Sequence, residues 1–172
     1  VYAALPPPSD AQLDAALARA VAFAASKGVT AVNYMSAPTT WLGAFQRAHA
    51  AGTLTVRTKM FFPIDQWRWV ADTVAKVGPG DDWLRIDGVM GYMDGSLGST
   101  TALLFEPYRD APNTRGLETT PLDSIHRWVQ AADSARLQVA VHAIGDRANA
   151  MLLDVFDSVS ATNGPRDRRF RD

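Results

Sequence analysis

Apolar side chains recur along the chain first at helical spacing, then in short strand-like runs, and the two kinds of segment alternate to the end. Ser9, with Gln12 three residues on, has the spacing of a capping box. Leu13, Ala16, Leu17, Ala20, Val21 and Ala24 follow at helical intervals, and Gly28 stands where a helix-terminating glycine belongs. The pattern predicts a helix over 10–27, preceded by an extended Pro6-Pro7-Pro8 run. Val29–Met35 is short and β-branched and reads as a strand. Thr39 or Thr40 can cap a second helix that runs to about Ala51 and ends at Gly52. Leu54–Phe62 reads as a second strand. Pro63 and Asp65 then open a third helix, with Ile64, Trp67, Val70, Ala71, Val74 and Val77 on one face and Gly78-Pro79-Gly80 as its stop.

Leu84–Met93 reads as a third strand. Residues 94–120 carry no period, and an unstructured connection of that length is usually functional or disordered. Thr120-Pro121 opens a fourth helix by cap and first-turn proline, with Ile125, Val129 and Ala132 as its apolar positions. Gln138–Ile144 is a fourth strand. Asp146 caps a fifth helix striped by Ala148, Met151, Leu152, Val155, Phe156 and Val159, and the tail from Asn163 to Asp172 is polar and arginine-rich. Strands separated by helices pair in parallel through right-handed crossovers, so the class is α/β. About four strands alternating with five helices suit an open doubly wound sheet, and they equally suit half of an eight-unit barrel.

Composition narrows the function. The 172 residues suffice for one domain or a piece of a larger one. Seventeen basic against 18 acidic residues leave no electrostatic footprint for nucleic acid or an anionic membrane. The absence of cysteine excludes disulfide scaffolds, thiol catalysis and cysteine-ligated metals. No apolar run approaches the roughly 18 residues of a membrane span. No secretory pattern opens the chain, so a cytoplasmic location is the default expectation. The first residue is Val1, which suggests an excised piece.

In either α/β architecture, ligands meet the carboxyl ends of the strands. His142 falls near the end of the fourth strand and is a candidate ligand or catalyst, against the alternative of a core histidine satisfied by a carbonyl. Asp146 suits a cap, and Arg147 can hold an anion or pair with a carboxylate on the same rim. Asp94 leaves the third strand into Gly95-Ser96-Leu97-Gly98-Ser99, whose glycines let backbone approach a ligand; without lysine or a following helix this is a weak phosphate-loop signal. Arg109, Asp110, Arg115 and Gly116 read better as a surface loop than as a lid. His49 suits a helix carboxyl end, His126 sits among the apolar positions of the fourth helix, and no His-x-His pair occurs. The five tryptophans read as packing residues, and Asp133, Asp154 and Asp157 as solvated helix positions.

At Asp94-Gly95-Ser96-Leu97-Gly98-Ser99 and His142-Ala143-Ile144-Gly145-Asp146-Arg147-Ala148 the sequence resembles amidohydrolase family 3, a branch of the metal-dependent amidohydrolase superfamily. Gly28-Val29-Thr30-Ala31-Val32 looks like that family's second barrel strand. Glu106-Pro107-Tyr108 and Arg115-Gly116-Leu117 look like the loop after its fourth strand, and 163–169 like the approach to its sixth. The resemblance implies a partial (β/α)8 TIM barrel spanning residues 1–172, from barrel helix 1 through helix 5, with 94–120 as the long loop after the third strand of this chain. It implies a parent hydrolase of carbon–nitrogen bonds in small-molecule amides other than peptides, using one or two divalent metals, zinc or iron. His142 matches a metal ligand, and Asp94 and Arg147 lie at the site rim with catalytic roles.

The same resemblance places the other metal ligands outside these residues. Met90 stands where many relatives carry a lysine that is carboxylated to bridge two metals, and Phe170 where many carry a histidine. Tight metal binding by this chain alone is therefore not expected, and the isolated chain is expected to be inactive. A half barrel would also expose two sheet edges and an apolar inward face, so self-association into a homo-oligomer is expected.

Overall fold

A computed structural model describes residues 6–172; the opening Val1–Leu5 of the expected extended segment lies outside the described residues. The elements alternate as α1 (Asp10–Ser26), β1 (Ala31–Tyr34), α2 (Leu42–Ala50), β2 (Arg57–Pro63), α3 (Trp67–Val77), β3 (Leu84–Tyr92), α4 (Leu122–Ser134), β4 (Gln138–His142) and α5 (Asp146–Asn163). The Ser9 capping box forms as its spacing requires: the Gln12 N–H donates to Ser9 Oγ at 3.3 Å, and the Ser9 N–H to Gln12 Oε1 at 2.8 Å.

The other expected caps do not form. Thr39 and Thr40 lie inside a 3-10 turn, Thr39–Trp41, and Ile64–Gln66 makes another before α3. Pro38 and Pro63 stand directly ahead of these turns, so each helix is entered through a tight proline-led turn that needs no hydroxyl. Pro121 takes the cap position of α4, and Glu118 Oε2 accepts the Leu122 N–H at 3.3 Å in place of Thr120. Gly145 takes the cap position of α5, which makes Asp146 its first residue. Val77, expected on the apolar face of α3, is exposed in its last turn.

All strand pairs are parallel, and the spatial order is β1-β2-β3-β4. Sequential order means that every crossover advances one strand in the same direction and lays its helix on the same face. A doubly wound sheet reverses its order at a switch point and covers both faces. The structure therefore resolves the ambiguity left by the pattern: this is a half-barrel. The core lies between the helices and one sheet face, where Met60, Phe62, Ile86, Val89, Val139 and Val141 meet Leu17, Phe45, Val70, Ile125, Val129 and Leu152.

The opposite face meets the expectation in part: Met90 and Ala140 keep it apolar toward the carboxyl ends of the strands, but toward their amino ends it is charged. Asn33, Lys59, Arg85, Asp87, Gln138 and Arg171 line an open cavity of about 680 Å³ there. Alternation puts Lys59, Arg85 and Asp87 on this face, because Met60 and Ile86 point to the helices. Met60 pairs with Ile86, but Phe61 pairs with Gly88, so Asp87 is the extra residue of a bulge in β3. Its buried carboxylate meets Arg85 Nε at 3.0 Å and Arg171 Nη2 at 3.8 Å. The edge strand β1 is mostly exposed along its length.

The polar tail continues the sheet. The Arg171 N–H donates to the Val139 carbonyl at 3.0 Å, and the Val141 N–H to the Arg171 carbonyl at 2.9 Å, so a further parallel strand begins beside β4. Phe170 turns toward the helices and stacks on Phe156 with ring centroids 4.3 Å apart.

Candidate functional site

The carboxyl ends of the strands line a cavity of about 600 Å³, with Asn33 of β1 and Met35 just after it, Met90 of β3, His142, Ala143 and Ile144 at the end of β4, Asn149 of α5, and Arg171 and Asp172 of the tail. β4 places His142 there by alternation. Val139 and Val141 point to the helix layer, so Ala140 and His142 point away from it.

The two motifs singled out in the sequence are stitched together beneath this cavity. The Asp94 carboxylate is completely buried. Its Oδ2 accepts the Leu103 N–H at 2.7 Å and the Gly145 N–H at 2.8 Å, and its Oδ1 accepts the Ile144 N–H at 3.0 Å. One side chain thus holds the start of the 94–120 loop against the turn between β4 and α5. The seam continues outward: Ala148 N–H donates to the Leu103 carbonyl at 3.2 Å, and Phe105 N–H to Asp146 Oδ1 at 3.0 Å. A Cβ on Gly145 would come within 1.8 Å of the Leu103 carbonyl oxygen, so only glycine permits this approach. Gly145→Ala is accordingly expected to detach the loop, read as faster proteolytic cleavage between residues 94 and 120 with the helix content by circular dichroism little changed.

His142 sits directly above this seam. Its Nε2 lies 2.8 Å from the Gly95 carbonyl oxygen, and 3.8 Å from Asp94 Oδ1. Its side chain is about a quarter exposed, and the ring tilts against Tyr92 at 5.5 Å between centroids. Burial raises the Asp172 carboxyl above the ordinary carboxylate range, the Asp94 charge adds to the rise, and His142 opposes it.

Of the three residues expected at the site, His142 faces the cavity, Asp94 lies under it, and Arg147 does not line it. Among the described residues the Arg147 guanidinium makes no ion pair; its backbone N–H bonds Asp146 Oδ1 at 2.7 Å. Met90 lines the cavity, whereas Phe170 faces the helices and is not a cavity residue. The loop of 94–120 is ordered by its own contacts. Tyr108 Oη donates to the Ala102 carbonyl at 2.8 Å and Leu104 N–H to the Arg115 carbonyl at 2.8 Å, while Arg109, Asp110 and Arg115 are exposed as a surface loop would have them. Sequence reasoning missed Thr101, Asn149 and Arg171, for which no motif gave a signal.

His49 pairs with Asp81 at 3.0 Å, and His126 with the Ser158 hydroxyl at 3.1 Å, so both lie apart from the cavity. Among the described residues no three His, Asp or Glu side chains gather closely enough to hold a metal. His142 brings one nitrogen, and the residues present fit one position of a metal's coordination shell. Among the described residues no helix is long and apolar enough to cross a membrane.

The sequence pattern of the amidohydrolase family matches residues 1–172. The chain is 42% identical over 167 residues to the Arabidopsis thaliana protein LONG AFTER FAR-RED 3, covering 91% of this chain and 29% of that protein. It is 30% identical over 176 residues to YtcJ of Bacillus subtilis (strain 168), covering 98% of this chain and 32% of that protein. Crystal structures of uncharacterized metal-dependent hydrolases from Pyrococcus horikoshii OT3 and Pyrococcus furiosus superpose with TM-scores of 0.79 and 0.78. Each is 32% identical, over 89% of this chain and 32% of the other. The chain thus spans about a third of the length of the relatives it matches.

Proposed function

This chain belongs to the amidohydrolase family, and on that premise we propose that it supplies the second to fifth strands of a barrel that hydrolyses carbon–nitrogen bonds in non-peptide amides with the help of a divalent metal. The observation that carries this reading is the His142 imidazole, held by one nitrogen at the carboxyl end of β4 and facing an open cavity. A metal there would polarise the amide carbonyl and activate water. His142 would hold it, and Asn149, whose Nδ2 donates to the Ala143 and Gly145 carbonyls at 3.0 and 2.8 Å, steadies the turn that carries His142. Arg147 lies outside the cavity lining, and this reading gives it no contact with substrate.

Met90 bears on the metal count. A thioether is a poor ligand for a hard, oxygen-preferring ion, so Met90 supplies no bridge and the reading favours a single-metal centre. The same residue supports a second reading, a barrel that has lost catalysis and kept its scaffold.

The isolated chain has one ligand and is expected to be inactive. Plasma mass spectrometry after buffer exchange should find substoichiometric metal, unchanged in His142→Ala, and added zinc should produce no amide hydrolysis above background. One tightly held metal per chain, lost in His142→Ala together with chelator-sensitive turnover, would overturn the claim of inactivity. In a longer protein containing these residues, His142→Ala is expected to remove the bound metal; retention of metal there would overturn the ligand assignment.

A further inference from the structure

We propose that Thr101 is a positioning residue for His142, acting through the single peptide group between Gly95 and Ser96. That peptide is held at both of its polar ends. Its N–H, on Ser96, donates to Thr101 Oγ1 at 2.9 Å. Its carbonyl, on Gly95, accepts from His142 Nε2 at 2.8 Å. A peptide unit is planar, so fixing the N–H direction fixes the direction of the carbonyl. A carbonyl oxygen only accepts, so the nitrogen facing it carries the proton. When neutral, His142 thereby carries its hydrogen on Nε2 and its lone pair on Nδ1, and Nδ1 makes no hydrogen bond among the described residues. The bond to one ring nitrogen decides which nitrogen is left to a metal or a proton.

Four further features show that this geometry is enforced. The Gly95 N–H donates to the Thr101 carbonyl at 3.1 Å, so the turn is closed by backbone as well as by hydroxyl. The Ser99 hydroxyl lies 2.6 Å from Thr101 Oγ1 and fixes its rotor. A Cβ on Gly95 would fall 2.0 Å from Thr101 Oγ1, so the glycine admits the threonine to this position. Asp94, buried one residue earlier, anchors the whole turn from below.

The inference deepens the metal-ligand reading of His142 but is tested without metal. Long-range proton–nitrogen NMR on the metal-free 172-residue chain, at a pH where the imidazole is neutral, assigns the protonated ring nitrogen. The wild type is expected to show a single species protonated on Nε2. Thr101→Val preserves shape and removes the hydroxyl, and should raise the Nδ1-protonated form from undetectable to a share comparable with the other. Thr101→Ser should restore the wild-type pattern, which a merely space-filling role would not. Wild-type protonation on Nδ1 overturns the proposal, whether or not the variants fold. So does an unchanged tautomer in a folded Thr101→Val chain. Failure of a longer protein to bind metal through His142, with the tautomer as stated, would instead overturn the proposed function and leave this inference standing.

Discussion

Asp133→Ala is expected to cost about 3–5 kcal/mol of folding stability, the usual result of removing one partner from a buried ion pair. Asp133 lies in the last turn of α4 and its carboxylate is fully buried. Asn163 Nδ2 donates to Oδ2 at 2.8 Å, Arg168 Nε to Oδ2 at 3.1 Å, and Arg166 Nε to Oδ1 at 3.1 Å, with Arg166 Nη2 also bonded to Oδ1. The Arg168 side chain is itself buried, so deleting the carboxylate leaves a guanidinium charge without its partner. At about 2–4 °C per kcal/mol for a chain of this size, thermal unfolding should fall by about 6–20 °C. A decrease of no more than about 2 °C in a circular-dichroism melt would show that the tail is not held this way.

The same clamp carries a pH dependence whose sign is fixed. Burial pushes the Asp133 carboxyl up, but the hydrogen bonds from Asn163, Arg166 and Arg168 outweigh it and hold it below the ordinary carboxylate range. The folded state therefore gives up this proton more readily than the unfolded chain. The stabilisation is complete above the unfolded value of about 3.9 and is lost as pH falls through the lower folded value. Asp133→Asn should flatten the acid limb of the stability profile, because the group that titrates there is gone.

The clamp also marks where sequence reasoning reaches its limit. Asp133, Asp154 and Asp157 all look like solvated helix positions. The last two are exposed, whereas the partners that bury Asp133 come from 30 to 35 residues further along the chain. Nothing in local spacing distinguishes them. Periodicity did reveal the elements, because burying one stripe of a helix or one face of a strand writes itself into consecutive residues. It also gave the right α5 stripe, with Leu152, Val155 and Val159 buried. Caps were less legible where proline shaped the entry turn, as before α2, α3 and α4. The charged inner positions went unread although Lys59, Arg85 and Asp87 alternate with the core residues Met60 and Ile86; what local spacing does not record is the one-residue bulge at Asp87. At the site, the sequence marked His142 and Asp94 as motif residues. That one sits above the other, and that Thr101 sets the peptide between them, depends on a loop closure no period records.

Asp94→Ala is expected to act first on the site. The substitution leaves the N–H groups of Leu103, Ile144 and Gly145 without their acceptor, and an unsatisfied buried donor costs about 1–3 kcal/mol. Three such donors cost more than the seam between the loop and the β4–α5 turn can absorb, so the loop should part from the turn while the sheet stays paired. Hydrogen exchange measures this directly: the amides of Leu103, Gly145 and Ala148, the last bonded to the Leu103 carbonyl, should lose protection by at least a hundredfold, and those of Val139 and Val141 in β4 should not. Asp94→Asn should fall between wild type and the alanine variant, because its carbonyl oxygen can still accept from Leu103 and Gly145 while its amide meets the Ile144 N–H as donor to donor. Asp154→Ala, on an exposed helix face, should change stability by no more than about 0.5 kcal/mol. If the three seam amides kept their protection in Asp94→Ala, the buried carboxylate would not be what joins the two motifs, and the support for His142 would have to come from Thr101 and the backbone alone.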